Sequence, residues 1–394
     1  MADKVTTPGA TDKPHWPVRW IPGDDPNAKP DDGVALCLSG GGYRAMLFHL
    51  GAVWRLNELG YLDPAKLKRV SSVSGGSLTA GVLALHWKAL GLETAPSAAP
   101  DKFKSLMVDP IREQAHRTVD VSAALVGFAD FGAHGSHLAN FYGALFGNAK
   151  LADLSDLGPT FIFNATSLQS GELMLISKAY LGDWRVGKIR NPDLRLAEAV
   201  AASSSWPPVL SPTMLKVAPN EWDVAGRGEL FKDPYNSDLV LTDGGVYDNL
   251  GLEAAFKRYR TILVSDADGL AADEPHPHSD WPLQTYRILM LFYNQIGSLR
   301  KRQLISAFES GDRDGTYWSM GSDIKNYPAA QPLACPIELT VELAKTPTRL
   351  EKVDDALQER IINWGYAIAD SAVRSHVDQA AAQPLDFPYP RGVA

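Results

Sequence analysis

Only two cysteines, Cys37 and Cys335, occur in 394 residues, too few for a disulfide framework or a cysteine-based metal site. Neither an H-E-x-x-H string nor a cluster of carboxylates and histidines at ligand spacing is present, so no metal and no cofactor is expected. Long apolar runs are also missing. The window from Val70 to Trp87 is uncharged but rich in serine, threonine and glycine, which does not suit a membrane-spanning helix. Charge is not segregated into blocks: a formal net charge of -8 is spread along the chain, and no basic stripe offers the electrostatic footprint of a nucleic-acid binder. The first residues, MADKVTTPGATDKPHWPVRW, carry charges with no apolar stretch behind them, so neither a signal peptide nor an anchor is expected. A cytoplasmic location follows as the expectation, with any membrane contact peripheral.

What is there is ordinary globular material, 45% apolar and 21% charged, enough for a sizeable core. Residues 1–32 are rich in Pro, Asp and Lys and lack periodicity, with Trp16 and Trp20 as apolar anchors. They read as an extended arm. The run VALCLS (34–39), bounded by glycine, reads as a buried strand of a parallel sheet. After three glycines, Met46, Leu47, Leu50, Val53, Trp54 and Leu59 recur at helical spacing up to Gly60. KRVSSVS (68–74) then reads as a second strand and 77–90 as a second helix, so the chain opens as β-α-β-α.

Several short helices are expected over 99–148, including VSAALVGFADFG (121–132), as an insertion between about 95 and 158. Strands are expected in PTFIFNATSL, ELMLISKAY, 237–242 and 261–266, with a helix over 194–202. Two periodic segments, 282–309 and 347–377, form a C-terminal helical extension, separated by connections that include the strand candidate PIELTV. The apolar stretches 121–132 and YRILMLFYNQIG (286–297) are expected mainly as core or cap helices. Their other reading is an apolar rim for aggregated lipid.

Three blocks carry chemistry. In SSVSGGS, Ser74 follows a strand and precedes a helix, the setting of a strained nucleophile turn, with Ser72 standing where the G-x-S-x-G pattern has its first glycine. Ser71, Ser72 and Ser77 compete, but Ser74 alone has a small residue two positions before and two after. In SGGGYRA (39–45), successive glycines let backbone N–H groups converge on an anion at a helix N-terminus. Gly40, Gly42 and Ala45 also fit a dinucleotide fingerprint, yet the second strand ends without the carboxylate that a ribose would need. In LVLTDGGVYDN, Asp243 closes a strand and two glycines follow, placing a carboxylate where open α/β sheets put their ligands.

With these three blocks in this order, the chain resembles the patatin-like phospholipases, and GGGYRAM is also similar to the oxyanion block of the group-IV-type cytosolic phospholipases. AVAASSSWPPVLSPT (199–213) is similar to the stretch preceding the family's aspartate, with Trp206 in place of a small residue, and Asn249 matches a position after it. The resemblance implies a three-layer α/β sandwich over 33–394 with a mostly parallel central sheet flanked by helices. It implies lipid acyl hydrolysis by a Ser74–Asp243 dyad, with Gly40, Gly41 and Gly42 as the oxyanion hole and Arg44 at a position able to polarise a phosphate. Phospholipid is the implied substrate.

For the dyad to work near neutral pH, burial must raise the pKa of Asp243 well above the usual value of about 4. Alternatives stay open: a Ser-Asp-His triad drawing on His276 or His278, or a non-catalytic nucleotide- or anion-binding protein using the glycine loop. The C-terminal helices also leave room for a small-molecule or protein activator. His49 and His86 are expected to be packed or surface histidines.

Overall fold

The computed structural model describes residues 29–119, 133–269 and 273–394. Most of the expected N-terminal arm, with Trp16 and Trp20, and the apolar stretch 121–132 lie outside the described residues. The first strand, β1 (Asp31–Leu38), is followed by helix α1 (Gly42–Glu58), and β2 (Leu67–Ser72) by α2 (Gly75–His86), so the opening unit matches its sequence pattern closely.

Between α2 and β3 (Thr160–Ser167) lie the helices α3 (Asp109–Ala115) and α4 (Ala133–Phe146). A meander then runs through β4 (Leu173–Ile176), β5 (Tyr180–Asp183) and β6 (Gly187–Arg190). ELMLISKAY (172–180) thus holds β4 and the turn into β5, where Ser177 bonds its side chain and backbone to Tyr180. Helix α5 (Leu196–Ser203) leads to β7 (Thr213–Lys216), β8 (Asp238–Asp243) and β9 (Tyr259–Asp266). The last part holds α6 (Trp281–Glu309), β10 (Asp314–Ser319), α7 (Ile337–Ala344) and α8 (Asp355–His376). The strand candidate PIELTV is in fact the start of α7: Thr340, Leu343 and Ala344 are its buried residues, a helical stripe that follows Pro336.

Strands β10, β9, β1, β2 and β3 are neighbours in parallel, and β4, β5 and β6 extend the sheet antiparallel. The sheet branches at β3, whose carboxyl half also pairs with β8 in antiparallel register, Ala165 opposite Asp243. Alternation along the central strands feeds two cores. Leu36, Leu38 and Leu263 join the larger one, with α1, α2 and α8, while Ala35, Cys37, Ile262 and Val264 join a smaller one with Leu250, Leu252 and Leu304. Burial on both faces explains why VALCLS reads as a continuous apolar run.

Helix α8 lies against α1 at backbone distance: a Cβ on Gly51 would stand 1.9 Å from the Ile362 carbonyl oxygen, and one on Gly365 2.0 Å from that of Phe48. The buried Asp370 carboxylate between Arg55 and Arg374, at 2.9 and 2.7 Å, reinforces the pair. The C-terminal helices therefore close the fold around α1.

Candidate active site

The three chemistry-bearing blocks leave the ends of β1, β2 and β8 and meet at one cavity of about 370 Å³. Ser74, Gly41, Gly42, Asp243 and Asn249 all line it.

Ser74 occupies the turn between β2 and α2 at φ 50° and ψ −119°, a conformation costly for a residue with a Cβ. The turn is held from outside, since the Ser74 N–H donates to the carbonyl and the hydroxyl of Ser203, both at 3.1 Å. Its rivals are occupied elsewhere. Ser71 donates to the Gly251 carbonyl at 2.6 Å, Ser72 to that of Ile162 at 3.0 Å, and Ser77 lies between Ser72 and Ser203. Ser72, which departs from the glycine pattern, is thus accommodated as a buried hydrogen-bonding residue.

The glycines after Ser74 are required by proximity. A Cβ on Gly75 would lie 2.0 Å from the Gly42 carbonyl oxygen, and one on Gly76 2.5 Å from that of Leu38. The serine turn and the glycine loop therefore touch backbone to backbone. Gly41 and Gly42 have φ of 141° and 59°, and Gly42 is further pinned by the Arg349 backbone, 2.6 to 3.1 Å from where its Cβ would stand. Arg349 also accepts from the Tyr43 N–H at 3.0 Å, capping α1 with a carbonyl from the far end of the chain.

Gly40 differs from its neighbours. Its N–H donates to the Asn249 carbonyl at 3.1 Å, and it does not line the cavity. A Cβ there would meet Asn249 Oδ1 at 2.4 Å, so its place is to let the loop after β8 pack against the loop after β1.

Asp243 is fully buried. Its Oδ1 accepts from the Gly245 N–H at 2.7 Å. Burial pushes its pKa up to about 7, opposed by the Gly245 N–H and by the nearby Ser74 hydroxyl. Its Oδ2 is buried with no well-formed hydrogen bond, although Ser74 is close enough to favour the ionised form.

Arg44, expected at a position able to polarise a phosphate, is turned inward. It is buried, donating Nε to the Ala267 carbonyl at 3.1 Å and Nη1 to that of Thr346, while Nη2 has no partner. A Cβ on Gly41 would come within 3.1 Å of Nη2, which puts the guanidinium directly behind the glycine loop. Burial lowers its pKa, with Asp268 the leading opposing charge. Asp268 lines the cavity, and burial next to Asp266 raises its pKa to about 6. Asp266 is held by Lys301 at 2.7 Å and by the Tyr317 hydroxyl at 2.6 Å.

The histidines stay apart. His49 is buried, with Nε2 donating to the Ser39 carbonyl at 2.9 Å and Nδ1 2.8 Å from the Ser265 hydroxyl, and burial lowers its pKa to about 4. His276 and His278 are exposed, and no histidine among the described residues lines the cavity.

The facing wall comes from two stretches singled out in the sequence, 199–213 and 286–297, and from one that gave no site signal there, 348–351. Trp206 meets Tyr293 of α6 edge to face at 5.3 Å, Pro207 to Leu210 continue that wall, and residues 348–351 of the tail complete it.

The patatin-like phospholipase family model matches residues 36–256 of this chain, a span that begins in β1 and contains every block described above. The chain belongs to the patatin-like phospholipase family. Among solved structures, this patatin-like chain is similar to human GIVD cytosolic phospholipase A2, at 15% identity over 60% of this chain and 45% of that one, with a TM-score of 0.34. The same human enzyme in complex with methyl gamma-linolenyl fluorophosphonate matches at 15% identity over 86% of this chain and 57% of that one, TM-score 0.45. VipD from Legionella pneumophila matches at 15% identity over 89% and 68%, TM-score 0.37. The chain thus spans less than half of the first cytosolic phospholipase chain. No curated protein sequence matches.

Proposed function

We propose that this patatin-like chain is a lipid acyl hydrolase that cleaves fatty-acyl esters of glycerophospholipids through an acyl-enzyme on Ser74. The observation carrying the reading is the pairing of a strained, half-buried Ser74 with a buried Asp243 whose pKa burial raises to about 7, in a cavity lined by no histidine among the described residues. A carboxylate with that pKa is a competent base at neutral pH, where an ordinary aspartate is a feeble one.

In this mechanism Asp243 takes the Ser74 proton as the hydroxyl oxygen attacks the ester carbonyl. The N–H groups of Gly41 and Gly42 receive the oxyanion, at the N-terminus of α1 where the helix dipole adds to them. Gly40 is left out of the hole because its N–H is already engaged by Asn249. Collapse of the tetrahedral intermediate expels the alcohol, which takes the proton from Asp243, and a water then repeats the sequence to release the fatty acid. Arg44, buried and not among the cavity-lining residues, supports the glycine loop from behind rather than meeting the lipid phosphate. Fatty-acid release from phosphatidylcholine vesicles tests the reading: activity in the wild type that vanishes in Ser74→Ala supports it, and equal release by both refutes it.

A further inference from the structure

Helix α6 is apolar on more of its circumference than its contacts require. Over 29 residues only Leu304 and Ala307 are buried, both in the C-terminal half. In the N-terminal half, Tyr286, Met290 and Tyr293 line the cavity. At about 100° per residue these three and Leu304 fall within about 60° of one another, the face turned to the body of the protein. Trp281, Ile288, Phe292 and Leu299 fall within about 40° on the opposite side. All four are exposed, by 78, 43, 58 and 53%. The stripe runs for about 27 Å at 1.5 Å per residue, far from the scattered single apolar residues that ordinary surfaces tolerate.

We infer that this outward stripe of α6 is the docking surface for a phospholipid bilayer, an inference that rests on the lipid-hydrolase reading of the cavity beside it. Charge argues for a bilayer as occupant. In a chain of net charge -8, no acidic residue occurs between Trp281 and Phe308, whereas Arg287, Arg300, Lys301 and Arg302 do. Arg287, Arg300 and Lys301 pair with carboxylates of the body. Arg302 is exposed and makes no ion pair among the described residues. An acid-free helix with Trp, Phe and Leu on one face can lie in the headgroup region while the acidic body stays away from anionic lipid. Geometry agrees, because the other face of the same helix forms the cavity wall, so docking brings lipid to the mouth of the site.

Flotation of the full chain with vesicles of phosphatidylcholine, with and without phosphatidylserine, tests this. Wild type and Ser74→Ala are expected to float alike, and more with phosphatidylserine. The triple variant Ile288→Ser, Phe292→Ser, Leu299→Ser is expected to lose about tenfold or more of its vesicle-bound fraction, while hydrolysing a soluble p-nitrophenyl butyrate probe as the wild type does. Unchanged flotation of the triple variant overturns the inference. So does a wild type that ignores vesicles and behaves by light scattering as a dimer which the triple variant dissociates, because the stripe would then join two copies. A wild type that floats through the stripe but cleaves neither the probe nor phospholipid overturns the activity reading alone and leaves the docking surface standing.

Discussion

The two walls of the cavity are built on opposite plans. On the strand-end side, glycine loop, serine turn and aspartate turn are locked together: Gly75 can carry no side chain because the Gly42 backbone stands 2.0 Å from where its Cβ would be, Gly40 is tied to Asn249, and Ser74 is held by Ser203. On the facing side, α6 and residues 206–210 present aromatic and aliphatic groups with few polar ties, and among the described residues the outer surface of α6 is left uncovered. Rigid backbone placement suits a site where charge must be stabilised at fixed positions. A loosely tied apolar wall suits a flexible acyl chain, whose recognition depends on area more than on direction.

If chemistry belongs to the first wall, its substitutions should act on turnover whatever the substrate. The largest effect is expected for Ser74→Ala, a loss of about 10⁴-fold or more in kcat/KM on both p-nitrophenyl butyrate and phospholipid, the scale seen when a nucleophile is removed. Circular dichroism should show the fold intact. Asp243→Asn should cost about 10³-fold or more by the same assay.

The pH profile sharpens the assignment of Asp243. In the proposed mechanism the ionised carboxylate is the working form, so kcat/KM should climb about tenfold per unit at acid pH and level off above a midpoint near 7, the pKa to which burial raises this group. A midpoint near the usual aspartate value of about 4 would contradict it.

A smaller effect is expected for Gly42→Ala. Its φ of 59° and the Arg349 backbone 2.6 Å from the added Cβ would displace one donor of the proposed oxyanion hole, for about 10²-fold in kcat and about 1–3 kcal/mol in stability by urea unfolding. The smallest is His276→Ala with His278→Ala, exposed residues away from the cavity. Activity should stay within about twofold of wild type, and a large loss would revive the triad and dissolve the contrast between the walls.

The first wall was legible in the sequence because each of its pieces is local. A strand, a run of small residues and a helix in succession specify where a backbone turns, and SGGGYRA, SSVSGGS and TDGG each do so within a few residues. The second wall was legible only in part: 199–213 and 286–297 were singled out, the latter with an apolar rim as its other reading, but how they meet residues 348–351 depends on contacts across the whole chain. Nothing in the sequence near Thr346 or Arg349 says that their carbonyls meet Arg44 and Tyr43.

Burial was misjudged for the same reason. The stretch YRILMLFYNQIG has the hydrophobicity of a core helix, yet Ile288, Leu289, Leu291, Phe292 and Ile296 are exposed. Periodicity reports which residues share a face but not what covers that face. Arg44 shows the opposite case, a charged residue on a helix that closure by the tail turns into a buried one. The PIELTV segment, β-branched and short, gave strand propensity, and tertiary contacts at Thr340, Leu343 and Ala344 made it a helix.

The central claim is that Asp243, unaided by histidine, activates Ser74. The most direct test is the rate at which a fluorophosphonate labels Ser74 as a function of pH, in the wild type, in Asp243→Asn and in the double histidine variant. The account predicts a single rise centred near pH 7 in the wild type and the histidine variant, and labelling slowed about 10³-fold with that rise abolished in Asp243→Asn. A rise that survives in Asp243→Asn, disappears with the histidines, or tracks a serine other than Ser74 would contradict it.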